Sequence, residues 1–229
     1  MKQTVKIAID GPAGAGKSSV AKMLAKQLGY IYIDTGAMYR ALTYKIIKNN
    51  LDLNDIPNIV KIAYNTNIFF DNSKGVENQR IICDGLDVTE LIRSPEVSQK
   101  VSWVASIPEI RDIMVKKQQE LGQINNVIMD GRDIGTVVLP EAKYKFFLTA
   151  SLEERAKRRT KEMEGKGYIV NPANIINEII NRDKLDTERD VSPLRVAKDA
   201  IFIDTSNSSL QEVVNKILSI ITEEENDAL

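Results

Sequence analysis

Two hydrophobic periods alternate along this 229-residue chain. Val5, Ile7, Ala8 and Ile9 make residues 4–10 a strand that is apolar on both faces, the pattern of a parallel strand covered above and below. Val20, Leu24, Ala25 and Leu28 then fall at helical spacing, which predicts a helix over 17–28 that stops at Gly29. Further strands are predicted at 30–33, 127–130, 144–148 and 200–203. Helices are predicted at 37–48, at 94–105 behind Ser94-Pro95, and from 106–109 onward with Ile110, Ile113, Met114 and Leu121 as the apolar side. Five strands interleaved with helices predict an α/β fold, a five-stranded parallel sheet covered by helices.

Between 50 and 100 the period changes. Residues 65–70 and 79–83 are short β-prone runs around the turn 71–75, residues 84–87 form another turn, and 88–92 continue the meander. These runs do not alternate with long helices. They predict a small antiparallel β insertion, residues 64–100, interrupting a core made of 1–63 and 101–229. Its placement suits a lobe over a substrate cleft; a surface elaboration without substrate contacts is the alternative.

The C-terminal third is helical. Ser151 with Glu154 has the spacing of a capping box, and Arg155, Arg158 and Arg159 share one face of the helix that follows. Gly165 and Gly167 interrupt that helix and make residues 155–170 a candidate helical lid. After Pro172, Ile175 and Ile179 define a buried stripe whose period continues through Arg182, Asp186 and Arg189. Ser209 with Glu212 is a second capping box, Leu210 to Ile221 an amphipathic helix, and 223–227 a frayed acidic tail.

Composition narrows the chemistry. The net charge of −1 offers no field for nucleic acid or an anionic membrane, and no apolar stretch approaches spanning length. Met1-Lys2-Gln3 leads straight into a strand without the apolar region of a secretory leader, so the expected compartment is the cytoplasm. With no histidine and Cys83 as the single cysteine, a Cys/His zinc site, a Cys-His nucleophile and an internal disulfide are excluded. Cys83 reads as a packed thiol in a strand. Phosphoryl transfer tolerates this inventory, because it depends on positioned cations and Mg²⁺.

The motif that fits is Gly11-Pro12-Ala13-Gly14-Ala15-Gly16-Lys17-Ser18, set between the first strand and the first helix. Its glycines let successive amides turn toward an oxyanion, and the helix start adds unpaired N–H groups and a positive dipole end. Lys17 is placed to reach β- and γ-phosphates and the Ser18 hydroxyl to ligate Mg²⁺. No N-K-x-D segment for guanine follows a strand.

Other charged residues lie where this sheet would gather them. Arg40 sits one turn into its helix, within reach of the cleft or simply solvated. Asp130 ends an apolar strand, as a Mg²⁺-side carboxylate opposite the loop would. Gly131-Arg132-Asp133 places opposite charges on the next turn, as a site or as a local salt bridge. Ser102 and Arg111 could face a cleft or solvent, and the Arg182, Asp186 and Arg189 stripe calls for a ligand or an ion-pair network. Scattered arginines facing a triphosphate site suggest a second anionic substrate.

The motif at 11–18, together with Asp34-Thr35-Gly36-Ala37-Met38-Tyr39-Arg40, the Gly-Arg-Asp-x-Gly-Thr-Val-Val-x-Pro run from Gly131 to Pro140, and Arg182-Asp183 followed by Asp186 and Arg189, resembles the bacterial-type cytidylate kinases. The resemblance spans nearly the whole chain. It implies a P-loop kinase fold, a monomer, and transfer of the γ-phosphoryl group of ATP to CMP or dCMP with Mg²⁺. ATP would be held by residues 11–19, Ser19 included, with Ser18 on the metal. Lys17, Arg132, Arg158 and Arg159 would be catalytic, the last two from the lid. For CMP the resemblance implies Asp34, with Arg40 and Arg132 at the phosphate, and Ser102, Arg111 and Asp133 at the cytosine. Arg182, Asp186 and Arg189 would sit at the sugar and phosphate. A carboxylate at 133 accepts from the cytosine amino group and opposes the uracil oxygen, which is a basis for discrimination. A kinase for UMP or another small acceptor such as shikimate, and a regulatory ATP-binding module, are the alternatives.

Overall fold

The computed structural model describes residues 4–123 and 125–227; Met1-Lys2-Gln3, the segment read above for a leader, lies outside them. Five parallel strands form one sheet: β1 (Lys6–Asp10), β2 (Ile31–Asp34), β6 (Val127–Gly131), β7 (Tyr144–Thr149) and β8 (Ile201–Asp204), in the order β2-β6-β1-β7-β8. Chain neighbours β1 and β2 are separated by β6, so the strand order reverses beside β1. That opens a crevice at the carboxyl ends of β1 and β6, where ligands bind in such sheets.

Alternating strand residues enter different cores. Ile7, Ile9, Tyr32 and Ile128 pack against α1 (Lys17–Leu28) and α8 (Leu210–Asp227). Ala8, Ile33, Val127 and Met129 face the opposite side, against Ile134, Val138 and Leu139. On that side a third cluster joins α2 (Thr35–Lys48), α3 (Ile56–Asn65), α4 (Pro95–Val104) and α5 (Pro108–Leu121).

A three-stranded antiparallel sheet, β3 (Ile68–Asp71), β4 (Arg80–Cys83) and β5 (Leu86–Asp87), interrupts the helices as expected. Its buried Ile68, Ile81 and Cys83 pack into the same cluster as α2 to α5. Burial raises the Cys83 thiol to about 11, so it is a packed and unreactive thiol.

Three local readings are corrected. Residues 88–92 do not extend the meander: β5 stops at Asp87, and Leu91–Arg93 is a 3₁₀ turn. Asp87 accepts from the Thr89 amide, and the Thr89 hydroxyl accepts from the Ile81 amide in place of a strand carbonyl. The last helix carries through Asp227, where a frayed tail was expected. Ser151 does cap α6 (Leu152–Gly165), but Glu154 binds Arg158 and the Ser151 amide donates to Ser206, so that box is half formed. The Ser209 and Glu212 box is complete. Helix α3 was not anticipated, although Asp55 as its cap, Pro57 in its first turn and buried Ile59 and Ala63 are local signals for it.

Two antiparallel helices, α6 and α7 (Pro172–Glu188), pack around Ala156, Ile175 and Ile179. Gly165 is the last residue of α6, and Gly167 in the connection takes φ 81. No helix of the described residues is long and apolar enough to cross a membrane.

Candidate active site

Gly11 leaves β1 at φ 145, and a Cβ there would stand 1.9 Å from the Leu148 carbonyl oxygen, so only glycine lets the loop turn beside β7. Gly16 takes φ 87 and starts α1 with no side-chain cap. By contrast, Asp34, Ser94, Ser151 and Asn171 cap α2, α4, α6 and α7. The uncapped first turn of α1 points its amides and positive dipole end at the cleft.

Lys17 is 5% exposed and donates to the Pro12 carbonyl at 2.7 Å, folding its stem back over the loop. Burial first, then the Arg132 guanidinium, pushes its ammonium group well below the ordinary lysine range. Opposite it, Asp130, one residue before the end of β6, lies in register with Asp34 of β2. Its two oxygens accept from Ser18 Oγ and from Tyr32 Oη, each at 2.8 Å, and the Thr35 hydroxyl donates to its carbonyl at 2.7 Å. Burial and the neighbouring Asp34 carboxylate push Asp130 up.

Across the loop the cleft is cationic. It encloses about 440 Å³, lined by seven cationic side chains against four carboxylates, in a chain whose net charge is −1. Arg40, Arg132 and Arg182 arrive from α2, the end of β6 and α7, and Arg158 and Arg159 from α6. Arg40 donates to Ser98 Oγ at 2.9 Å, and Arg159 donates to the same oxygen at 3.2 Å. Burial, then the Arg182 and Arg159 charges, lower Arg40 to about 9; burial, then Arg132, lowers Arg182 to about 10. Both stay charged at neutral pH, so the cluster carries a repulsion that an entering polyanion relieves.

A buried ionic network lies behind this wall. Arg111, 1% exposed, donates to Asp133 Oδ2 at 2.5 Å and to the Ala105 carbonyl at 3.1 Å, and its guanidinium lies 5.4 Å from the Tyr39 ring centre. Arg189 approaches Asp133 Oδ1 at 3.8 Å, while Asp186 accepts from Arg132 at 2.7 Å. Tyr39 Oη, Arg111 Nε, Gln118 Nε2 and Arg189 Nη2 are buried without hydrogen-bond partners. Native interiors rarely leave buried polar atoms without partners, so this network is incompletely satisfied by the protein's own groups.

Residues 7–223 match the family model described as Cytidylate kinase. The chain belongs to the cytidylate kinase family. It is 55% identical over 218 residues to the cytidylate kinase of Caldanaerobacter subterraneus subsp. tengcongensis, covering 95% of each chain. With the cytidylate kinase of Bacillus subtilis it shares 52% identity over 221 residues, 96% of this chain and 98% of the relative. Among solved structures, an uncharacterized protein from Eubacterium ventriosum superposes with a TM-score of 0.50 at 14% identity, covering 96% of this chain and 99% of that one; this likeness concerns the fold alone.

Within this cytidylate kinase fold, the residues expected from sequence separate by position. Ala13, Gly14, Gly16, Lys17, Ser18, Ser19, Asp34, Arg40, Arg132, Arg158, Arg159 and Arg182 all line the cleft. Gly11, Pro12 and Ala15 shape the loop from behind, and Asp34 spends one oxygen capping α2. Ser102 lines an adjoining cavity between α4 and α7, while Arg111, Asp133, Asp186 and Arg189 form the buried network. Arg155, the third arginine of the α6 stripe, is neutralised by Asp183 at 2.5 Å and clasps the Ala13 carbonyl at 3.2 Å. Sequence reasoning missed Tyr32, which holds Asp130, and Arg93, which lines the cleft. Neither carries a local signal, because a tyrosine in a strand and an arginine in a short turn gain their meaning from what lies across the cleft.

Proposed function

We propose that this cleft transfers the γ-phosphoryl group of ATP to CMP and dCMP, releasing ADP and the pyrimidine diphosphate. The observation that carries the reading is one continuous cavity with an uncapped, lysine-bearing helix start on one wall and converging guanidiniums on the other. Two polyanions can share such a space only if fixed cations offset their repulsion.

ATP phosphates occupy the loop 11–19 and Lys17. Arg40, Arg132 and Arg182 hold the acceptor phosphate, whose ionised oxygen is the nucleophile and needs no general base. Arg158 and Arg159, on the segment 155–170, bring positive charge to the transferring group as the lid settles and excludes water. Asp133, braced by Arg111, accepts from the cytosine amino group, with Ser102 beside it; Asp34, Arg182, Asp186 and Arg189 serve the sugar and phosphate end. Insertion 64–100 covers the acceptor side. One chain supplies both halves, so a monomer suffices.

The donor set also fits Mg²⁺. Ser18 and Asp130 present hard oxygens side by side at the loop, with Asp34 on the same cleft wall. Among the described residues no cluster of three or more acidic, cysteine or histidine side chains forms a cage. A Mg²⁺ ion keeps phosphates and waters as most of its ligands, so Ser18 and Asp130 are enough to hold it. When bound, the ion supplies charge neutralisation at the β- and γ-phosphates.

A coupled assay of ADP formation with CMP, dCMP, UMP, AMP and shikimate tests the reading. Turnover is expected with CMP and dCMP far above the others. ADP formation that does not depend on an acceptor would make the cleft a hydrolytic or regulatory site instead.

A further inference from the structure

Asp10 is a buried carboxylate with no contact to the phosphates in the proposed reaction, although its charge acts on Lys17. It ends β1 one residue before the donor loop and is 4% exposed. Its two oxygens accept the backbone N–H groups of Ile134 at 2.8 Å and Gly135 at 2.7 Å. Burial raises this carboxyl to about 6 even against those two donors, so the fold retains an acid at an energetic disadvantage.

The two amides open a single π-turn, Ile134–Val138, whose preceding residue is Asp133. Asp133 has φ −141 and ψ 24, and its carbonyl accepts from the Val137 and Val138 amides, so Asp133 is held by the same turn whose first amides Asp10 accepts. Each oxygen takes one amide, so a side chain with a single acceptor oxygen would have to move to serve both, and an apolar one would strand both. The segment is tight on its other side too: a Cβ at Gly131 would stand 2.5 Å from Thr35 Oγ1. Asp10 is therefore bonded covalently to the donor loop and by hydrogen bonds to the turn that carries Asp133.

We infer that Asp10 is a positioning residue for acceptor recognition, fixing the Asp133 carboxylate against the pyrimidine through the amides of Ile134 and Gly135. This rests on the reading of Asp133 given above. Asp10→Asn keeps one acceptor and turns an amide donor against the second N–H. It is expected to raise KM for CMP by about ten-fold and to lower the CMP-to-UMP ratio of kcat/KM by a similar factor. KM for ATP should stay within about three-fold, the scale below one lost hydrogen bond.

Hydrogen exchange at the Ile134 and Gly135 amides is expected to speed up by about ten-fold while that of α1 is unchanged. Gly135→Ala is the milder second variant, since its Cβ would sit 3.4 Å from Asp10 Oδ2 and 3.2 Å from Lys145 Cδ. It should raise KM for CMP in the same direction. A fall in kcat shared equally by CMP and UMP, with KM for CMP unchanged, would overturn the assignment and leave Asp10 a purely structural residue. Asp133→Asn separates the two readings. If it loses CMP selectively and Asp10→Asn does not, only the positioning role fails; if Asp133→Asn is itself unselective, the base-reading role falls and the positioning role with it.

Discussion

Replacing Asp133 by asparagine probes acceptor choice with the smallest change of shape. Asp133 Oδ2 is committed to Arg111 at 2.5 Å. Oδ1 lies 3.8 Å from Arg189 Nη2, too far for a hydrogen bond, and so has a lone pair available to a base amino group. An amide retains one acceptor, so either Arg111 or the base loses its partner. A hydrogen bond to a charged acceptor is worth roughly 1.5–3 kcal/mol, which corresponds to a loss of about 10- to 150-fold in kcat/KM for CMP. UMP presents an oxygen at that position, so removing the carboxylate relieves a lone-pair clash and its kcat/KM should hold or rise. The same change leaves two buried guanidiniums undercompensated, at a cost of up to about 3–5 kcal/mol. For a chain of this size that lowers Tm by up to roughly 6–20 °C. The assay is ADP formation with each acceptor at saturating ATP, run well below the variant's melting temperature. Equal proportional losses with CMP and UMP would refute the reasoning.

Three further outcomes follow from the donor side. Lys17→Met should reduce kcat by at least about 10²-fold, the scale of losing one group aimed at developing charge, and near-normal turnover would remove Lys17 from the mechanism. Because burial and Arg132 hold the free Lys17 below its ordinary range, part of it is neutral at pH 8, and an arriving triphosphate restores its charge. ATP binding at pH 8 should therefore take up protons; a calorimetric enthalpy that is the same in buffers of different ionisation heat would contradict this. Gly11→Ala forces a Cβ to within 1.9 Å of the Leu148 carbonyl oxygen at φ 145, so the loop must move and ATP binding measured by calorimetry should fall at least about ten-fold.

Much of this arrangement was legible in the sequence. Local interactions decide a parallel strand that is apolar on both faces, a glycine loop running into a helix, and Ser209 with Glu212 as a reciprocal cap, and all three lie within short windows of sequence. The loop motif and the Gly131 to Pro140 run carried the family for the same reason. Readings in which one side chain had two partners to choose between fared less evenly. Glu154 had a choice between Ser151 and Arg158 and took the charge-assisted bond, and Thr89 ended a strand with its own hydroxyl.

Backbone conformation and hydrophobic period are short-range properties, so the α/β class, the phosphate loop and the supply of arginines were all written in the chain. Which arginines face the cleft on neutral partners and which are neutralised was settled by packing. Arg155 meets Asp183 of α7 and Arg159 meets Glu162 of its own helix, whereas Arg40 faces the cleft on neutral partners, the Ser98 hydroxyl and the Ile92 carbonyl. Packing also gave Asp10 and Tyr32 their places, since a carboxylate's partners 124 and 125 residues away and a phenol's partner 98 residues away are chosen by the strand order. Electrostatic roles depend on separations of a few ångströms, and those are set only when the sheet brings its ends together.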